Sequence, residues 1–148
     1  MSKRLLSDED LKILAEKIAE AEAATSGEIR VVVRHARHWK ERSLTLHELA
    51  LREFHRLNMH KTAGRTGVLI LLLVPEKSFQ IIGDEGIHAR VKEGTWESVA
   101  DAMSAHFRKG DFRAGLTEAI ARVAAELSGH FPRTPGPSNQ LPNDVIEE

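Results

Sequence analysis

Cysteine is absent from this 148-residue chain, so disulfides, thiolate metal sites, cysteine-dependent phosphatase chemistry and thiol proteases are excluded together. A surplus of one charge is also lacking. With a formal net charge of -1, no overall field holds nucleic acid or an anionic membrane, and any such binding would need a local patch. Long apolar runs are missing too: the longest, Val68 to Val74, falls far short of the roughly 20 residues of a bilayer-spanning helix and reads as a buried strand. The opening MSKRLLSDEDLKIL brings acidic residues after only two leucines. No apolar core of a secretory signal is present there, and the expectation is a soluble, cytoplasmic protein. No repeat of solenoid or propeller period is visible.

What is present suits one globular domain. Hydrophobic residues make up 41% and charged residues 29% of the chain, an ordinary globular composition. The segment PRTPGPSNQLP cannot sustain a helix or sheet ladder, so the expected division is a domain over 1–132 and a flexible, Pro-rich C-terminal tail over 133–148.

Helical periodicity predicts a first helix from about Ser7 to Ala24, opened by a Ser7/Asp10 capping box and carrying Leu11, Leu14, Ile18 and Ala21 on one face. Glu28–Arg34 alternates, with Ile29, Val31 and Val33 on one side, and reads as a strand. A Thr45/Glu48 capping box starts a second helix ending near Asn58. Val68–Val74 is apolar without alternation, which suits a strand covered on both faces. Phe79–Ile82 follows a short polar break and pairs with it as a hairpin. Two helices complete the domain: one capped by Thr95 and ended by Gly110, the other capped by Asp111 and stopped by Gly129. The β-α-β unit makes the first two strands parallel and the third antiparallel. The predicted architecture is a three-layer α/β/α sandwich with a small mixed sheet, Rossmann-like in plan.

That topology gathers Thr25-Ser-Gly-Glu28, Arg65-Thr-Gly67 and Gly83-Asp-Glu-Gly86 at one end of the sheet. Glu28, Asp84 and Glu85 supply carboxylate oxygens there, and Asp111 is a further candidate. Carboxylates and loop oxygens without cysteine suit Ca²⁺ or Mg²⁺ better than zinc or copper. Each residue also has a plainer reading: Asp84 as a turn residue, Glu28 as a solvated partner of Arg65, Asp111 as a helix cap. If the site hydrolyses phosphate, a cation on Glu28 and Asp84 activates water while Arg65 stabilises negative charge. No nucleophilic side chain is identifiable.

Other chemistry is largely ruled out. No P-loop, G-x-G-x-x-G, G-x-S-x-G or EF-hand loop occurs, and His47-Glu48 lacks the second histidine of a zincin motif. Of the eight histidines, only His35 and His38 lie close together in a loop, without a third ligand nearby for zinc. The run from Arg34 to Arg42 is basic and contains Trp39, a composition able to grip phosphate or single-stranded nucleic acid. Its plainer reading is a solvated loop with Trp39 folded back onto the core.

The segments Thr25-Ser-Gly-Glu-Ile29, Arg65-Thr-Gly-Val-Leu-Ile-Leu71, Phe79-Gln-Ile-Ile-Gly-Asp-Glu-Gly-Ile87, Trp96, Phe107-Arg-Lys-Gly-Asp-Phe112 with Gly115, Phe131-Pro132 and Asn139-Gln-Leu-Pro142 occur in an order and spacing that resembles the TPM domain family. The resemblance covers nearly the whole chain. It implies an α/β/α sandwich, calcium or another divalent cation near the sheet edge, and an acid phosphatase activity of the kind attributed to plant members. Many similar proteins carry a signal peptide and a C-terminal membrane helix or Gly-rich tail; without these, the chain resembles the cytosolic form. Two positions depart from the pattern. Thr66 stands where asparagine is usual, and Gln140 replaces an acidic residue. The leading expectation is a calcium-binding, non-catalytic module with an unidentified protein partner. The alternatives are a metal-dependent phosphatase and an interaction protein that supports membrane complexes through the basic loop or the tail.

Overall fold

The computed structural model describes residues 6–62, 65–132 and 145–147. Helix α1 (Asp8–Ala23) is opened by both halves of the Ser7/Asp10 capping box. Strand β1 (Glu28–Arg34) follows, then α2 (Leu46–Arg56), started by the Thr45/Glu48 box, and β2 (Gly67–Leu73). A turn with Lys77 at φ 49° leads into β3 (Ser78–Gly83). The short α3 (Glu85–His88), α4 (Thr95–Arg108), α5 (Phe112–His130) and the two-residue β4 (Ile146–Glu147) follow among the described residues.

The sheet runs in the order β3-β2-β1-β4, with β1 parallel to β2 and β2 antiparallel to β3. Strand alternation divides its apolar side chains between two cores. Ile29, Val31, Val33, Val68, Ile70 and Leu72 face α1, α4 and α5, while Val32, Leu69, Leu71 and Leu73 face α2 and Met59. Helices therefore cover both faces, as a three-layer sandwich requires. Among the described residues no helix is long and apolar enough to cross a membrane.

Three details differ from the sequence reading. Thr95 is the first residue of α4 rather than its cap, and Gly94 precedes it at φ 87°. Gly129 lies inside α5, which continues to His130; a glycine in a last turn costs only about 1 kcal/mol. The end of the C-terminal segment is also not free of the domain. Val145 is buried in the core facing α1 and α5, and Ile146 and Glu147 pair in parallel with Val32 and Val33. Two paired residues are too few to leave a periodic signal in sequence. The remainder of the expected tail, 133–144, lies outside the described residues.

Candidate functional site

The start of β1, the start of β2 and the end of β3 meet at one end of the sheet. Glu28 pairs in register with Gly67 and donates its N–H to the Thr66 carbonyl at 3.1 Å. On the other side of β2, the Asp84 N–H reaches the Gly67 carbonyl at 2.9 Å. Glu28, Gly67 and Asp84 thus form a row across the α2-facing side of the sheet, because Leu69 and Ile82, two residues along in register, belong to that core. The neighbouring turn is tied to the end of α5: Phe131 O accepts from the Ser26 N–H at 3.0 Å and from the Thr25 hydroxyl.

Asp84 serves two partners. Its Oδ1 accepts the Glu85 N–H at 2.8 Å, capping α3, and the Arg65 guanidinium pairs with both carboxylate oxygens, at 3.0 and 3.3 Å. Gly83 makes this close turn feasible. A Cβ there would lie 2.6 Å from Ile87 Cγ2, so any side chain would push α3 away from the strand end. Arg65 holds φ 56°, a left-handed conformation seldom taken by a non-glycine residue and often found at functional turns. Its side chain is 46% exposed, above an Asp84 side chain that is 6% exposed. Beside them, the His60 ring packs 4.7 Å from His55. Partial burial holds His60 below its usual pKa, aided by His55, Lys61 and Arg65 and opposed by Asp84.

Glu28 has different neighbours. It is almost fully buried rather than solvated at a strand end, and its carboxyl group shares a hydrogen bond with Glu22. Glu22 reaches over from the end of α1 to accept the Ile29 N–H at 2.9 Å, on the edge of β1 facing away from β2. Burial, above all, raises the Glu22 pKa to about 8; the Ile29 N–H opposes the rise, the Glu28 carboxyl adds to it, and Arg30 pulls the other way. Burial therefore favours the protonated form of Glu22. This residue was missed in the sequence, although a signal was there: it falls one helical turn after Ile18, in register with the buried face of α1.

Met59 divides the row into two compartments. It lies over Gly67, with its carbonyl oxygen 3.0 Å and its Cε 3.3 Å from where a Gly67 Cβ would stand. The Glu22/Glu28 pair is on one side, and Arg65, Asp84 and the exposed Glu85 are on the other. Asp111 belongs to neither. It caps α5 by accepting the Ala114 N–H at 3.0 Å, beside Phe112, whose ring is 5.2 Å from that of Phe107. Phe107 in turn packs 5.2 Å from Phe79, at the opposite end of β3 from Asp84. Among the described residues, no three His, Asp or Glu side chains gather as a ready-made metal site. Asp84 and Glu85 could hold an oxygen-seeking cation only if Arg65 swung away from Asp84.

The basic run takes another form as well. Arg34 is buried between Glu41, at 2.6 Å, and Glu53, at 3.2 Å. Arg37 pairs with Glu76 and donates to the carbonyls of Glu41 and Leu44. His35 contacts Glu147 at 2.8 Å. Trp39 does not fold back but stands 73% exposed.

The fold has counterparts among solved structures. The solved structure of BA42 from the psychrophilic bacterium Bizionia argentinensis is 31% identical and superposes with a TM-score of 0.88, covering 100% of this chain and 99% of that one. The N-terminal domain of a P. gingivalis protein is 20% identical with a TM-score of 0.71, over 86% of this chain and 79% of its own. That of a Corynebacterium glutamicum protein is 12% identical with a TM-score of 0.62, over 90% and 78%. These last two speak to the fold alone. No curated protein matches the chain. The TPM domain profile matches residues 2–126, and with most of its length so matched the chain belongs to the TPM domain family.

Proposed function

We propose that this TPM domain is a non-catalytic module that responds to a divalent cation, calcium in preference to magnesium, at Asp84 and Glu85. The observation that carries the reading is the half-exposed Arg65 guanidinium seated on a nearly buried carboxylate: an anionic position reachable from solvent and already filled by a cation. The half-exposed guanidinium regains water when it leaves, and an arriving metal ion keeps the nearly buried Asp84 carboxylate paired, so the exchange strands no buried charge. Two adjacent carboxylates completed by water and loop carbonyls suit the flexible, oxygen-rich coordination of calcium better than the strict octahedron of magnesium. Glu28, set apart by Met59, supports the strand end rather than the ion.

Thermal melts with millimolar calcium and with chelator test this. A ligand bound only by the native state stabilises it by mass action. The wild type should therefore melt higher with calcium, Asp84→Asn should lose that shift, and Arg65→Asn should enlarge it by removing the competitor. Asparagine tolerates the positive φ at that position. No calcium shift in the wild type ends the proposal, and an equal shift in Asp84→Asn moves the ion elsewhere. The exposed face of Arg65 also favours a second reading, a phosphomonoester hydrolase using this guanidinium to hold phosphate. Metal-dependent turnover of p-nitrophenyl phosphate lost in both Asp84→Asn and Arg65→Asn would establish it in place of the first.

A further inference from the structure

The turn at Trp39–Glu41 and helix α2 enclose a groove of about 1110 Å³ lined by His38, Leu51, Arg52, His55 and Arg56, together with the buried Glu41 and Glu53. Trp39 and Leu51 are the exposed large hydrophobic side chains among the described residues, and both belong to this region, Leu51 in the groove wall and Trp39 adjoining His38. An exposed tryptophan carries a large apolar surface without core contacts to justify it, and tryptophan is the side chain most enriched among binding hot spots.

The charge around the groove is one-sided. Residues 34–56 hold six Lys and Arg against three Glu, in a chain whose net charge is -1. The three glutamates are already engaged. Glu41 is held by Arg34, with bonds of 2.6 and 3.2 Å, and by the His38 N–H at 2.8 Å. Glu53 takes Arg34 on one oxygen and Arg56 on the other. Glu48 closes the capping box of α2 by accepting the Thr45 N–H. Arg52 and Arg42 have no ion pair among the described residues, and Lys40 lies over the Trp39 ring at 5.7 Å. The groove thus offers Leu51 and the unpaired Arg52 in its wall, and the adjoining turn adds the exposed Trp39 with Lys40 and Arg42.

We propose that this groove docks an acidic peptide segment, in which one large apolar side chain packs against Trp39 and Leu51 while flanking Asp or Glu residues meet Arg52, Arg42 and Lys40. Two other occupants of basic surfaces fit less well. Nucleic acid gains its affinity from rows of free cations that replace counterions along many phosphates, whereas Arg34, Arg37 and Arg56 are committed to carboxylates. A membrane surface is flat and does not fill a concave groove lined by α2. A peptide fills it, and complementary charge sets its orientation and speeds its capture.

The test is selection of short linear peptides from a randomised display library on the full-length protein, followed by titration of the enriched synthetic peptides at low and raised salt. Enriched sequences should carry Asp or Glu around an aromatic or aliphatic residue. Trp39→Ala and Arg52→Glu should each weaken binding by about tenfold, near 1.4 kcal/mol, while melting as the wild type does, since both side chains are exposed. Trp39 fluorescence in a Trp96→Phe background should shift on titration, a readout independent of either groove variant. Failure to enrich acidic sequences, or enriched peptides that bind both variants as tightly as the wild type, overturns the proposal. So does tighter binding of an oligothymidine or of phosphatidylglycerol vesicles that displaces the peptide, because either assigns the groove to the other class of partner.

Discussion

Strand β1 carries a buried ionic cluster at each end, and the two behave oppositely. At its start, Glu22 and Glu28 meet with too little positive charge, and burial drives the Glu22 pKa up to about 8. At its finish, Arg34 bridges Glu41 and Glu53; its hydrogen bonds bring the Glu41 pKa down to about 2, with the His38 N–H adding to them and burial opposing. Both carboxylates are nearly inaccessible to solvent. The difference shows that burial alone does not set the protonation state of a core carboxylate. The deciding factor is whether a buried cation hydrogen-bonds to it: Arg34 does so for Glu41, whereas the buried Arg30 acts on Glu22 weakly, through its charge.

The sharpest way to break the contrast is Arg34→Met, which leaves the buried Glu41 without its cation and Glu53 with Arg56 alone. Removing one partner of a buried ion pair costs about 3–5 kcal/mol. Urea unfolding at neutral pH should show a loss of that size, and the loss should shrink at acid pH, where the stranded carboxylates can take up protons. A chain ending at Pro132 should have a smaller effect. It removes Val145 from the core, the two β4 residues from the Arg34 half of β1, and the Glu147 contact with His35. Burial of one valine is worth about 1.5–3 kcal/mol, so differential scanning calorimetry should record a melting point lower by several degrees. An unchanged melt would restore the expectation of a dispensable tail.

The mildest change, Glu22→Gln, sharpens the comparison through pH. A glutamate whose folded pKa is raised binds its proton more tightly in the native state, so its stabilising influence is full below the unfolded value, near 4.5, and is lost as pH rises through about 8. Glu41 has the opposite sign: its contribution is present above about 4.5 and is lost as pH falls through about 2. Glutamine keeps an oxygen for the Ile29 N–H but has no proton to lose. Melting curves should therefore lie close together near pH 5 for wild type and Glu22→Gln, with only the wild type falling on the way to alkaline pH. Parallel curves across that range would mean that Glu22 is already ionised at neutral pH.

The sequence by itself determined the elements and the order in which they assemble. Both capping boxes act within four residues, the apolar spacing in α1 and α2 repeats within a turn, and a continuous apolar run marks β2 as covered on both faces. The β-α-β rule then carried Glu28, Arg65 and Asp84 to one end of the sheet. Only the tertiary structure decided what those residues touch. Arg65 pairs with Asp84 and not Glu28, Met59 separates the two carboxylates, Glu22 arrives from another helix, and Asp111 is carried to the far end by the length of α4. Arg34 read as part of a solvated basic run because its two carboxylate partners come from different segments, seven and nineteen residues away. Periodicity records which face of an element is buried over the distance of a helical turn or a strand pleat. Partner choice among buried charges depends on contacts closed only when distant segments pack, and no local pattern encodes that choice.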